Sequence, residues 1–227
     1  MRRCTVSLTR RDFMKSLGFF LASMVLSGCV PHKDQADTPR DRLRLCWQRL
    51  DWLAEQTQQA GKAKPGEDVI KKGEDARAQL VADHQQALDE LVAAGDLDSA
   101  VAVQVQVAFG AAAYHVWRSN TPITCYEPVM VDYAPVTSAQ LGQQAAILAQ
   151  GKDLDPNTVA QMQAAIARDI AFLALTNTDR QVLYSRLIQA SQEGQAIPQF
   201  DQLELEVSPD AAQAAQFLVE LLWNKEA

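Results

Sequence analysis

From residue 39 onward, most apolar residues recur at intervals of three and four, and this spacing points to helices packed on their apolar stripes. The first stripe is Leu43, Cys46, Trp47, Leu50, Leu53 and Ala54, with Thr38 placed to cap the helix and Pro39 at its first position. The break "AGKAKPGED" ends it, and a second helix is expected from about Glu67 to Ala94, with stripe Leu80, His84, Leu88 and Leu91. Gly95 in "AAGDLDS" ends that helix. A third helix runs from Ser99 to Trp117, and further helices are expected over Ser138 to Gln150, Asn157 to Leu175, Thr178 to Gln192 and Asp210 to Asn224. The starts of the later helices carry capping chemistry in "DPNT", "TNTD" and "SPD". The reading is an all-α, bundle-like domain of about seven helices over 39–227, with no convincing strand.

The third helix, "SAVAVQVQVAFGAAAYHVW", carries no charge from Ser99 to Trp117. Its glutamines, histidine and many alanines make a poor lipid-facing surface, so it is expected to be the central helix of the bundle. Gly110-Ala111-Ala112-Ala113 would let a neighbouring helix approach closely. The turn joining the second and third helices resembles the inner turn of a tetratricopeptide repeat. A solenoid needs about three copies at a period near 34, and no second copy appears, so the hairpin is read as generic.

Two features stand outside the helical pattern. One is residues 119–138, "SNTPITCYEPVMVDYAPVTS", where Pro122, Pro128 and Pro135 lie too close together for a helix. The other is the N-terminal run "LTRRDFMKSLGFFLASMVLSGC", residues 8–29. Its apolar core, Leu17 to Leu26, is about ten residues, half of the roughly 20 needed to span a bilayer, and so reads as a signal segment.

Thr9-Arg10-Arg11-Asp12-Phe13-Met14-Lys15 resembles the twin-arginine export motif, in which Arg10, Arg11, Phe13 and Lys15 would be read by the translocase. Leu26-Ser27-Gly28-Cys29 resembles the lipobox of bacterial lipoproteins. That resemblance implies cleavage before Cys29, acylation of its thiol and amine, and attachment to the membrane through the acyl chains. At about 0.8 kcal/mol per buried CH₂, two or three chains anchor stably where one does not. Residues 1–28 are then a signal peptide and 29–38 a lipidated tether. In diderm bacteria with lipoprotein sorting, Val30 in place of an Asp implies the outer membrane, on its periplasmic face.

Loss of residues 1–28 removes Arg2, Arg3, Arg10, Arg11, Lys15 and Asp12, leaving 16 basic and 27 acidic residues, net −11. Such a chain repels nucleic acid, which is excluded as a partner. Of the four cysteines, Cys46 and Cys125 remain once Cys4 is cleaved off and Cys29 is lipidated. An oxidising compartment permits them to pair; the alternative is two separate buried thiols.

No phosphate-binding, dinucleotide, zinc-protease, haem-attachment or nucleophile-elbow motif occurs. His32, His84 and His115 are the only histidines. His84, among apolar stripe neighbours, reads as a boundary residue with one backbone or carboxylate partner rather than a ligand. A mixed metal site from His115, Cys125, Glu127 and Asp132 is conceivable, but the spacing does not demand it, so no metal or other cofactor is assigned. The irregular segment groups His115, Trp117, Tyr126 and Tyr133 with Glu127 and Asp132, either as a recognition surface or as a seal over the core. The expectation is a non-enzymatic binding, scaffolding or accessory subunit with an envelope protein partner. The alternative is a small subunit of an exported redox enzyme, or a metal-dependent enzyme using residues at the exit of the third helix.

Overall fold

A computed structural model of the protein describes residues 38–62, 67–120, 133–151, 153–194, 203 and 205–223, with the backbone alone for 58–62, 67–70 and 120. The chain divides into two compact units, Met1–Gln35 and Ala36–Ala227. The first unit lies outside the described residues, and with it the export-signal residues Arg10, Arg11, Phe13 and Lys15 and the lipidation residue Cys29.

Among the described residues the second unit is all-α, with eight helical segments and no strand. The expected first helix is divided into α1 (Pro39–Gln48) and α2 (Leu50–Lys62). Thr38 is extended and its side chain accepts the Asp41 N–H at 3.1 Å, while Pro39 occupies the first turn, where its missing N–H costs nothing. Arg49 stays in the helical region at φ −77°, ψ −3° and shares its N–H between Leu45 and Cys46. Because Leu53 N–H still reaches the Arg49 carbonyl at 2.9 Å, Arg49 bends the helix without reversing the chain. All six stripe residues from Leu43 to Ala54 are buried.

Helix α3 (Glu67–Ala94) ends at Gly95, whose φ of 78° is open to glycine at no steric cost. The Gly95 and Asp96 N–H groups turn back to Val92 and Leu91, closing the helix before α4 (Ser99–Asn120) begins. Asp98 caps α4 by accepting the Ala100 N–H at 2.8 Å. Then follow α5 (Ala134–Gln150), α6 (Pro156–Ala174), α7 (Asn177–Gln192) and α8 (Pro209–Trp223). Asp155, Thr176 and Ser208 each accept a first-turn N–H at the starts of α6, α7 and α8. Helix α5 starts four residues earlier than expected, because Pro135 falls in its first turn, where proline is tolerated.

Helix α4 is the axis of the domain: α2, α3, α5, α6 and α8 all pack on it. By length and composition Ser99–Ser119 could also cross a membrane. Val101, Val105, Ala108, Phe109, Ala112 and Ala113 are buried, whereas Val103 (60%) and Tyr114 (50%) are exposed. The expected helix, apolar on every side, is thus central but retains one open edge. Ala108, Ala112 and Ala113, at 1% exposure or less, show why small residues are needed where several helices converge. Helix α7 is peripheral and fully buries Leu187 alone.

Candidate functional site

The residues singled out at the exit of α4 fall into two groups. Trp117 lies 5.6 Å from Tyr114, centroid to centroid, and the Arg77 guanidinium from α3 sits over both rings at 5.6 and 5.9 Å. Helix α3 approaches closely here because residue 73 is glycine: a Cβ on it would stand 3.2 Å from the Thr57 methyl and 3.5 Å from the Trp117 ring. His115 Nε2 lies 3.2 Å from Ser119 Oγ, one turn later, and burial holds its pKa below the ordinary histidine value.

Tyr133 belongs to the second group, on the other side of the segment. It is 9% exposed, stands edge-on to Phe172 at 6.3 Å and tilts toward Tyr184 at 6.1 Å. The Tyr133 N–H donates to Tyr184 Oη, and its carbonyl accepts both the N–H and the hydroxyl of Thr137. Burial raises the pKa of its phenol. This residue fastens the start of α5 to α6 and α7. Cys125, Tyr126, Glu127 and Asp132 lie outside the described residues, and Cys46 is a free thiol, 5% exposed.

A third constellation forms around His84, which is fully buried. The imidazole stacks on Phe109 at 3.9 Å with 4° between planes, and Trp47 stands edge-on to both rings. Gln106 Nε2 donates to the Val81 carbonyl, which turns its Oε1 toward His84 Nδ1 at 2.6 Å. That oxygen can only accept, so Nδ1 carries the proton and Nε2 a lone pair. Burial pushes the His84 pKa down to about 4, so the ring is neutral at pH 7. The expected boundary histidine with a backbone or carboxylate partner is instead fully buried and partnered by the side-chain amide of Gln106, because Trp47 and Phe109 close over the ring.

Asp169 was not anticipated. It lies on α6 within the stripe Val159, Met162, Ile166, Ile170, Leu173, three residues after Ile166 and one before Ile170, and an aspartate at a stripe position was the available signal. The side chain is 0% exposed, and neither carboxylate oxygen has a partner at full hydrogen-bond geometry. Burial raises the Asp169 pKa to about 7, outweighing the charge of Arg168 and a weak hydrogen bond donated by the Gln144 amide of α5, both of which favour the ionised form. Gln144 Oε1 and Gln140 Oε1, one turn apart on α5, are also buried without a partner.

No group of three or more His, Cys, Asp or Glu side chains able to hold a metal ion occurs among the described residues. Within that set the side chains offer proton binding at Asp169 and one hydroxyl beside an imidazole, Ser119 Oγ 3.2 Å from His115 Nε2; burial pushes the Cys46 thiol up to about 12, where it is inert. Comparison of the chain with protein-family models, curated proteins and solved structures finds no match.

Proposed function

We propose that the protein is a lipid-anchored component of a bacterial cell envelope, exported by the twin-arginine route. In this reading its helical domain acts as a non-enzymatic binding, scaffolding or accessory subunit at the periplasmic face of the outer membrane. One observation carries the reading: within residues 8–29, Arg10-Arg11, Phe13 and Lys15 precede a short apolar run that stops at Leu26-Ser27-Gly28-Cys29. A ten-residue apolar run cannot anchor a protein by itself, whereas diacylation of a cysteine at its end can. The acidic balance of the remainder fits an envelope protein that neither binds nucleic acid nor adheres electrostatically to anionic lipid. The fastening of α5 by Tyr133 supports a structural role for that end of the 119–138 segment, leaving Tyr114, Trp117 and Arg77 as its more open face.

The test is fractionation in a diderm host with an intact twin-arginine system. The unaltered chain should be found acylated in the membrane fraction. Arg10→Lys with Arg11→Lys should leave precursor in the cytoplasm, and Cys29→Ala should abolish acylation and release exported protein from membranes. Normal export of the double-lysine variant, or membrane retention of Cys29→Ala without acylation, would overturn the reading of the leader. A stoichiometric metal or chromophore in the purified lipoprotein would overturn the non-enzymatic assignment.

A further inference from the structure

We propose that the contact between α5 and α6 is a proton-operated joint, tightened when Asp169 takes up a proton in acid and loosened when it releases one. Geometry carries the proposal. The carboxyl group is wholly buried on the face of α6 that meets Gln144 of α5, and neither of its oxygens has a partner at full hydrogen-bond geometry. A buried carboxylate without compensation is one of the costliest groups a protein interior can hold, whereas its protonated form is a small polar group with one donor to place. Protonation removes the charge that burial penalises; ionisation restores it.

The surroundings are poor in charge able to offset it. Helix α5 contains no ionisable side chain. Helix α4 brings His115 and Arg118, α8 brings Asp210 and Glu220, and α6 itself adds only Arg168. Near the end of α6, Arg180 of α7 sits over Phe172, and Tyr133, Tyr184 and Tyr114 of α4 are further titratable groups among the described residues of the packed elements. Of these charges only that of Arg168 bears on Asp169, and burial outweighs it.

The sign follows from linkage. When the joint opens, Asp169 meets water and recovers an ordinary aspartate affinity for protons; when it closes, the affinity is higher. Closure is therefore favoured by acid, weakens as pH rises from about 4, and levels off once the buried group itself ionises near pH 7. His84 acts with the opposite sign between about pH 4 and 6.5, but it lies on the α3 side of the domain, so an opening confined to α5 and α6 leaves it buried and the α3 reference peptides report its effect separately.

The experiment is hydrogen exchange on the full chain at pH 5, 6, 7 and 8, corrected for intrinsic rates, following peptides from α5 and α6 with those of α3 as reference. The expected result is an opening equilibrium that rises about 100-fold from pH 5 to pH 8, about tenfold per pH unit up to pH 7, in α5 and α6 only. Asp169→Asn should abolish the dependence. An identical dependence in Asp169→Asn, or none in the unaltered chain, would overturn the joint. Should Asp169→Asn fail to fold, carbon NMR of the aspartate carboxyls in the unaltered chain decides: a buried resonance titrating near pH 7 together with the exchange profile supports the proposal, and titration of every carboxyl near pH 4 overturns it.

Discussion

The neutral state of His84 should be visible in the acid stability of the domain. In the folded chain its pKa is about 4, whereas an exposed histidine titrates near 6.5. A tenfold difference in proton affinity is worth 1.36 kcal/mol, so His84 supplies about 3 kcal/mol of stability at pH 7 that disappears in acid. Because its folded pKa is depressed, the unfolded chain binds the proton first. Stability is intact above about 6.5, falls as pH drops toward 4, and is fully lost below it. The raw profile of the unaltered protein conceals this, since Asp169 works in the opposite direction over nearly the same range. A difference measurement removes the overlap. His84→Phe keeps a ring stacked on Phe109 but leaves the Gln106 oxygen without its donor, a cost of about 1–3 kcal/mol that is the same at every pH. Urea unfolding at half-unit steps from pH 4 to 7.5, followed by circular dichroism, should show the stability gap between the two proteins narrowing by about 3 kcal/mol as pH falls. A gap constant over that range would refute the burial argument, and a gap that widened would mean the imidazole is held as a cation.

Two further outcomes are expected. Tyr133→Ala should destabilise the domain by about 3–5 kcal/mol in chemical denaturation, the usual cost of truncating a large buried aromatic; a loss under about 1 kcal/mol would return Tyr133 to the exposed recognition group. Cys46 should resist iodoacetamide in the native protein at pH 8 and react stoichiometrically in urea, because it is buried and its thiol is held near 12; native labelling within minutes, read by mass spectrometry, would contradict this.

Local chemistry determined much of this protein by itself. The extents of the helices were legible because their signals are short-range: Thr38 with Pro39, Gly95, Asp155 with Pro156, and Thr176 each act on backbone groups within one turn. The stripe of α1 and α2 and the apolar neighbours of His84 followed from a period that any amphipathic helix must obey, although the full burial of His84 did not. Local reasoning failed where two outcomes share one signature. Pro135 reads equally as loop or as first turn, and Arg49 has no feature that announces a bend. Tyr133 and Trp117 looked alike as aromatics beside an irregular segment. Tertiary packing separated them, drawing one against Phe172 and Tyr184 and placing the other beneath Arg77 near the surface. Asp169 was the largest omission. Its position in an apolar stripe was visible, but the meaning of that position depends on what faces it. Only the packed structure shows Gln144, with no ionisable residue along α5, opposite a carboxylate whose two oxygens have no partner at full hydrogen-bond geometry. Proton affinity at such a group is decided by desolvation, a property of the whole surrounding volume that no spacing along the chain encodes.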